Sequence, residues 1–233
     1  MKKNKLIFFI FIISIVVILL GKITFIRSDS VLKQVNNSVK YNNLFIFVDI
    51  TDNKMYLISD GKVVKTYPIS SGRYSTPSPI GNWIITGKAR WGEGFGGYWM
   101  GFNVPWGQYG IHGTNEPWSI GYARSHGCIR MFNKDVAELY KMIPVGTKVK
   151  IYGGPFGPFG NGFRVLEPGD RGSDVYEIQK RLKTMGFFQG YVNGIYNEST
   201  KQAIHNFQKK HGLPISNYVG YSFYNKLGVF LFD

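Results

Sequence analysis

The chain contains one cysteine, Cys128, set in the run Ser125-His126-Gly127-Cys128-Ile129-Arg130. With no second cysteine to bond, that thiol is either an inert buried side chain or a reactive group. A cysteine attacks a carbonyl only as thiolate, so it needs a base or a positive environment close by. Candidates surround it: His126 two residues before, Arg130 two after, and His112 sixteen before in Gly110-Ile111-His112-Gly113-Thr114. Gly127 leaves room for a substrate to approach the backbone, where exposed N–H groups can form an oxyanion hole. Arg130 can hold a carboxylate through two parallel hydrogen bonds. A short polar run with a glycine inside it is a poor recipe for a core strand, which favours the reactive reading. Zinc held by His112, His126 and Cys128 is the rival chemistry, but no fourth ligand accompanies the three and Glu116 is the sole nearby acid. No metal and no cofactor are expected.

The elements that must hold these residues read as strands first and helices later. From Leu44 the apolar period is two, Ile46, Val48 and Ile50 alternating with Phe45, Phe47 and Asp49. Met55 to Ser59 and Lys62 to Ser70 flank Asp60-Gly61, a hairpin signal because the turn needs positive φ at both central residues. Trp83 to Thr86, Tyr98 to Val104 and Lys148 to Tyr152 are further strand-like runs. One helix is expected over Lys134 to Ile143, capped by Asn133 and stopped by Pro144. Trp91 to Gly97 and Trp106 to Tyr109 are candidates for a substrate groove, with Tyr109 as a binding residue; local turn packing is an equal reading of their aromatics. Residues 153–164, rich in glycine and proline, read as a linker. Beyond them Val175, Ile178, Leu182 and Met185 form one helical stripe, opened at Ser173 or Asp174. Ala203, Ile204 and Phe207 form a second, and Ser222 to Leu227 a third.

Lys and Arg outnumber Asp and Glu by 28 to 14, a formal charge of +14, which favours a polyanionic neighbour. The basic residues are scattered and no nucleic-acid-binding motif is present, so nucleic acid is not expected as partner. Lys2, Lys3 and Lys5 precede an apolar run from Leu6 to Leu20 that continues past Lys22 to Ile26. Residues 1–26 therefore read as a transmembrane signal anchor with the lysines inside, residues 27–43 as a stalk, and the rest as extracytoplasmic. A cleaved signal peptide is the alternative.

Residues 44–152 resemble the L,D-transpeptidase catalytic domain of the YkuD-like family. The resemblance rests on His112-Gly113, on Ser125-His126-Gly127-Cys128-Ile129-Arg130-Met131, and on Thr76-Pro77-Ser78-Pro79-Ile80-Gly81 upstream. Val48-Asp49 with Met55-Tyr56-Leu57 looks like the family's opening hairpin. The resemblance implies a mainly β, sandwich-like fold with few helices. It also implies roles: Cys128 as nucleophile, His112 as general base, and the Gly113 carbonyl orienting the imidazole. His126 and Gly127 would shape the pocket, with backbone N–H groups at Gly127 and Cys128 stabilising the oxyanion. Arg130, with Ser125 and Tyr109 beside it, would hold the substrate peptide. The implied reaction forms 3→3 peptidoglycan cross-links through a cysteine thioester and releases D-alanine from tetrapeptide stems. An L,D-carboxypeptidase using the same site, or a non-enzymatic wall-binding protein, are the alternatives.

Residues 165–233 resemble the small three-helix peptidoglycan-binding domain. The matching residues include Gly169-Asp170-Arg171-Gly172-Ser173-Asp174-Val175, Ile178-Gln179, Asn193-Gly194-Ile195-Tyr196 and Phe207-Gln208. Asn193 and Asn197 stand where turn residues of positive φ are usual, and both tolerate that conformation. Gln179, Tyr196 and Gln208 are candidate wall contacts, with packing of a small domain as the competing reading. The expected partners are peptidoglycan stem peptides and glycan, and the membrane through the N-terminal helix. The expected state is a monomer in the cell membrane, its catalytic part facing the wall.

Overall fold

The computed structural model describes residues 41–229. The expected anchor and the stalk as far as residue 40 lie outside the described residues. Among those described, no helix is long and apolar enough to cross a membrane.

The opening strands are β1 (Phe45–Asp49), β2 (Lys54–Ser59) and β3 (Lys62–Pro68). Ile46 and Val48 are fully buried, as the period of two requires, and pair antiparallel with Leu57 and Met55. The β2–β3 turn has Asp60 at φ 48° and Gly61 at φ 76°, the pair of positive angles that Asp-Gly supplies. Two-residue β4 (Ser71–Gly72) leads into β5 (Gly81–Ala89), followed by β6 (Trp99–Phe102) and β7 (Gly110–His112). Then come β8 (Ala123–Ser125), β9 (Ile129–Arg130), helix α1 (Asn133–Met142) and β10 (Lys148–Tyr152).

Eight of these strands form one mixed sheet, ordered β3-β2-β1-β10-β5-β6-β7-β9, while β4 and β8 pair separately. The mainly β expectation is met; in place of two stacked sheets there is one continuous sheet. Bulges at Leu57/Ile58 and Ile85/Gly87 bend strands that would otherwise run flat. Val136, Leu139 and Ile143 pack against Ile46, Ile85, Ile111 and Ile129 in one core, so α1 closes the sheet's inner face. The helix starts one residue before the sequence suggested, and Asn133 does not cap it: its side chain accepts the Thr114 N–H at 2.8 Å.

The helical module consists of α2 (Ser173–Thr184), α3 (Glu198–Lys210) and α4 (Tyr221–Lys226) around a second core. The glycine-rich segment before it is not a free tether, because its phenylalanines are apolar anchors: Phe159 is buried in the second core, and Phe156 and Phe163 pack on it. Asn197 does not use positive φ either. At φ −99° it caps α3, its side chain accepting the Thr200 N–H at 3.1 Å. β domain, connecting segment and helical module belong to one compact unit.

Candidate active site

Strands β7 and β9 run parallel, with Ile111 opposite Ile129 and His112 opposite Arg130. Ile111 and Ile129 are fully buried in the core. Because side chains alternate along a strand, His112 and Arg130 are directed to the other face together, and Cys128 stands immediately before β9. Two burial-driven registers thus set the strand carrying His112 beside the strand that follows Cys128, sixteen residues away in the chain.

The imidazole of His112 is held on three sides. Its Nδ1 donates to the Gly113 carbonyl at 2.5 Å. A carbonyl only accepts, so Nδ1 carries the hydrogen and Nε2 keeps its lone pair. Trp99 stacks on the ring at 5.7 Å and 27°, and Phe95 meets it edge-on at 4.9 Å. Trp91 stacks in turn on Trp99, 4.5 Å away and 10° from parallel. The Trp91 to Gly97 segment therefore encloses the base. It is tied there by the Gly113 N–H, which donates to the Phe95 carbonyl at 2.9 Å.

A Cβ on Gly113 would lie 2.4 Å from Asn133 Oδ1 and 2.8 Å from the Gly96 backbone, so only glycine fits after the histidine. Asn133 is a site-supporting residue that sequence reasoning assigned to a helix cap. Its accepting bond to Thr114 braces the strand end carrying the base.

Burial in this aromatic setting pulls the His112 pKa down to about 4, with the Arg130 charge adding to the fall and the Gly113 bond opposing it. Burial also pushes the Cys128 thiol up, against the opposing effects of the Gly110 backbone N–H and Arg130. Burial thus disfavours the charged form of both side chains. The Sγ rests 4.0 Å from the Gln108 carbonyl.

Several expected roles change. Ser125 is buried and turned inward: its Oγ accepts the Gly127 N–H at 3.0 Å and donates to the Cys128 carbonyl at 2.6 Å. It shapes the nucleophile's turn and has no hydrogen left for a substrate. The same bond occupies the Gly127 N–H, so of the two amides expected in the oxyanion hole only that of Cys128 has no acceptor among the described residues. Arg130 donates from Nη1 to Glu116 at 2.5 Å, so its charge is already paired. His126 is exposed and its Nε2 accepts from Arg73. Tyr109 is half-buried and lies directly over Gly127, where an added Cβ would come within 2.6 Å of its ring. Among the described residues no group of three or more His, Cys, Asp or Glu side chains could hold a metal ion, so the zinc arrangement has no ligand set there.

An open cleft of about 460 Å³ begins at Gln108 and Tyr109 and runs over Trp99 to Trp91 and Lys88. Both aromatic segments flagged in the sequence line it. In the helical module the three candidate wall contacts are instead interior. Gln179 is fully buried, its Nε2 donating to Asn193, Ile195 and Thr200 and its Oε1 accepting the Asn193 and Gly194 amides. The Tyr196 hydroxyl donates to the Asn217 carbonyl at 2.6 Å, and Gln208 accepts the Ser216 N–H at 3.0 Å.

Comparison with known proteins identifies the family. The family model described as "L,D-transpeptidase catalytic domain" matches residues 43–151, and that described as "Putative peptidoglycan binding domain" matches residues 171–227. "Putative L,D-transpeptidase YkuD" of Bacillus subtilis is 47% identical over 107 residues, 46% of this chain and 64% of the relative. "Putative L,D-transpeptidase YqjB" of the same organism is 36% identical over 123 residues, 46% of this chain and 70% of the relative. The solved L,D-transpeptidase from Mycobacterium smegmatis is 25% identical with a TM-score of 0.40, the match covering 47% of this chain and 58% of that one. The chain thus spans less than two thirds of YkuD's length. The matching family model, the matching relatives and the signature around Cys128 together establish that the chain belongs to the L,D-transpeptidase family.

Proposed function

We propose that this chain is a cysteine acyltransferase forming 3→3 cross-links between peptidoglycan stems, anchored by its N-terminal apolar run with both modules facing the wall. The observation that carries the reading is the Nδ1 bond of His112 to the Gly113 carbonyl, which leaves Nε2 as a free base on the strand paired with the one that follows Cys128. Cys128 Sγ attacks the carbonyl carbon of residue three in a tetrapeptide stem. His112 Nε2 takes the thiol proton and delivers it to the departing amine of D-alanine, leaving a thioester. The Cys128 N–H is placed to stabilise the oxyanion. An amine from a neighbouring stem then attacks the thioester, passes its proton to His112, and expels the thiolate, which takes that proton back. The cleaved peptide bond supplies the energy, so no nucleotide is needed.

The test is to incubate the protein with a tetrapeptide stem or a carbapenem and weigh it. A covalent adduct is expected on the wild type and none on Cys128→Ser; no mass gain on the wild type, or the same gain on both proteins, would overturn the reading. Muropeptide analysis with an acceptor present should then give cross-linked dimers, and tripeptide alone would assign the thioester to water.

A further inference from the structure

The segment between β6 and β7 carries Gln108, whose carbonyl lies 4.0 Å from the Cys128 Sγ, and Tyr109, whose ring lies over Gly127. It has no regular structure of its own. Its ends are held by the Asn103 N–H on the Ile84 carbonyl and the Phe102 N–H on the Tyr109 carbonyl. Between them its one large buried side chain is Trp106, 5% exposed.

Trp106 is held from two sides. Trp83 of the β domain meets it edge-on at 5.2 Å. On the other side stands the helical module. The Tyr176 ring of α2 lies 5.5 Å from Trp106 and 5.8 Å from Trp83. The Gly194 backbone lies against the indole so closely that a Cβ there would come within 2.3 Å of it. Tyr176 and Ile195 pack against the β domain's own core. From Trp106 the contact continues to the Tyr109 ring at 6.4 Å, then to Gly127 and the turn that presents Cys128.

We propose that the helical module completes the acyl-transfer site: Tyr176, Gly194 and Ile195 clamp Trp106 against Trp83 and so position Gln108 and Tyr109 beside Cys128. The module then has a role in turnover separate from any grip on the wall. Tyr176 is a positioning residue, since it acts through Trp106 and touches neither thiol nor substrate. Burial and aromatic packing set the clamp, so the Tyr176 hydroxyl is dispensable and its ring is not.

The kinetic part of this inference rests on the acyl-transfer reading, whereas the reactivity of the thiol does not. The experiment therefore compares full-length wild type, Tyr176→Phe and Tyr176→Ala in three measurements. These are the alkylation rate of Cys128 by iodoacetamide, kcat and KM on a soluble tetrapeptide stem, and retention on purified sacculi. Tyr176→Phe should match wild type within twofold in all three. Tyr176→Ala should change the alkylation rate at least fivefold and lower kcat at least tenfold, with KM and sacculus retention within twofold of wild type. Wild-type alkylation and kcat in Tyr176→Ala would overturn the proposal. If that variant loses retention because the module unfolds, Ile195→Ala carries the same test from the neighbouring contact, with the same outcomes for and against. A wild type that alkylates but never turns over the stem would sink the acyl-transfer reading, while the alkylation comparison would still decide this one.

Discussion

Replacing His112 with asparagine should flatten the acid side of the protein's stability curve. The imidazole is 5% exposed and enclosed by Trp99 and Phe95, and burial lowers its pKa from 6.5 to about 4. Between those two pH values the unfolded chain binds a proton at this position that the folded chain refuses, so stability must fall as the pH falls. Above about pH 6.5 both states hold the neutral ring and the group contributes no pH dependence. At about 1.4 kcal/mol per pH unit, the full gap corresponds to about 3 kcal/mol lost by the time the pH reaches 4. At pH 5 the loss is about 2 kcal/mol from the same linkage relation. Asparagine cannot titrate, yet its amide can still donate to the Gly113 carbonyl. Urea unfolding of wild type and His112→Asn at pH 7, 6 and 5 isolates the effect, because all other titrating groups cancel in the difference. The gap between the two stabilities should change by about 2 kcal/mol from pH 7 to pH 5, roughly 1 M in urea midpoint for a chain of this size. A gap that stays constant over that range would refute the buried neutral imidazole, and with it the argument that the resting base is uncharged.

The same neutral base shapes the kinetics. kcat/KM should stay level through pH 6 and fall only as the pH drops through about 4, where His112 protonates and can no longer accept the thiol proton; an acid limb centred near 6.5 in the pH–rate profile would contradict this. Ser125→Ala leaves the buried Gly127 N–H without its acceptor and should cost about 1–3 kcal/mol, read as a lowered thermal midpoint, with slower acyl-enzyme formation as the nucleophile's turn loosens. Asn133→Ala removes the acceptor of the Thr114 N–H and opens space beside Gly96 and Gly113. It should lose about 1–3 kcal/mol, with kcat affected more than KM in steady-state assays. Gln179→Leu unpairs the Asn193 and Gly194 backbone amides, the latter buried, and removes the donor to Asn193, Ile195 and Thr200. Loss of sacculus retention and of the module's helical circular dichroism should follow together, and full retention would show that the buried network is dispensable.

The first hairpin, the long strands and the helices of the C-terminal module could all be read from their periods. β1 and β2 are long enough to alternate, and Asp60-Gly61 has one obvious use. The strands that carry the site were not readable in that way. β7, β8 and β9 have two or three residues each, too few to display a period, and β7 and β9 pair in parallel across an intervening ribbon. Polar residues in the signature also concealed their own uses. Ser125 and Arg130 look equally available to a substrate in the sequence, yet the Ser125 hydroxyl is taken up by the turn and the Arg130 charge is paired with Glu116. For Gln179 the sequence left wall contact and domain packing both open, and its hydrogen bonds to Asn193, Gly194, Ile195 and Thr200 put it inside.

Residue types and spacing alone gave Cys128 as the single thiol with His112 as its base candidate, and carried a resemblance to the L,D-transpeptidase family with a wall-binding-type module downstream. Both the thiol–base reading and the resemblance rest on short motifs, which the linear chain preserves. Folding in three dimensions adds that burial lowers the His112 pKa, that Phe95 and Trp99 enclose the ring, that Asn133 braces the strand end beside it, and that Tyr176 of the second module bears on Trp106. Each of these depends on burial and on contacts between residues distant in the chain. Local propensity says nothing about such contacts, because they exist only once two separately formed surfaces pack together.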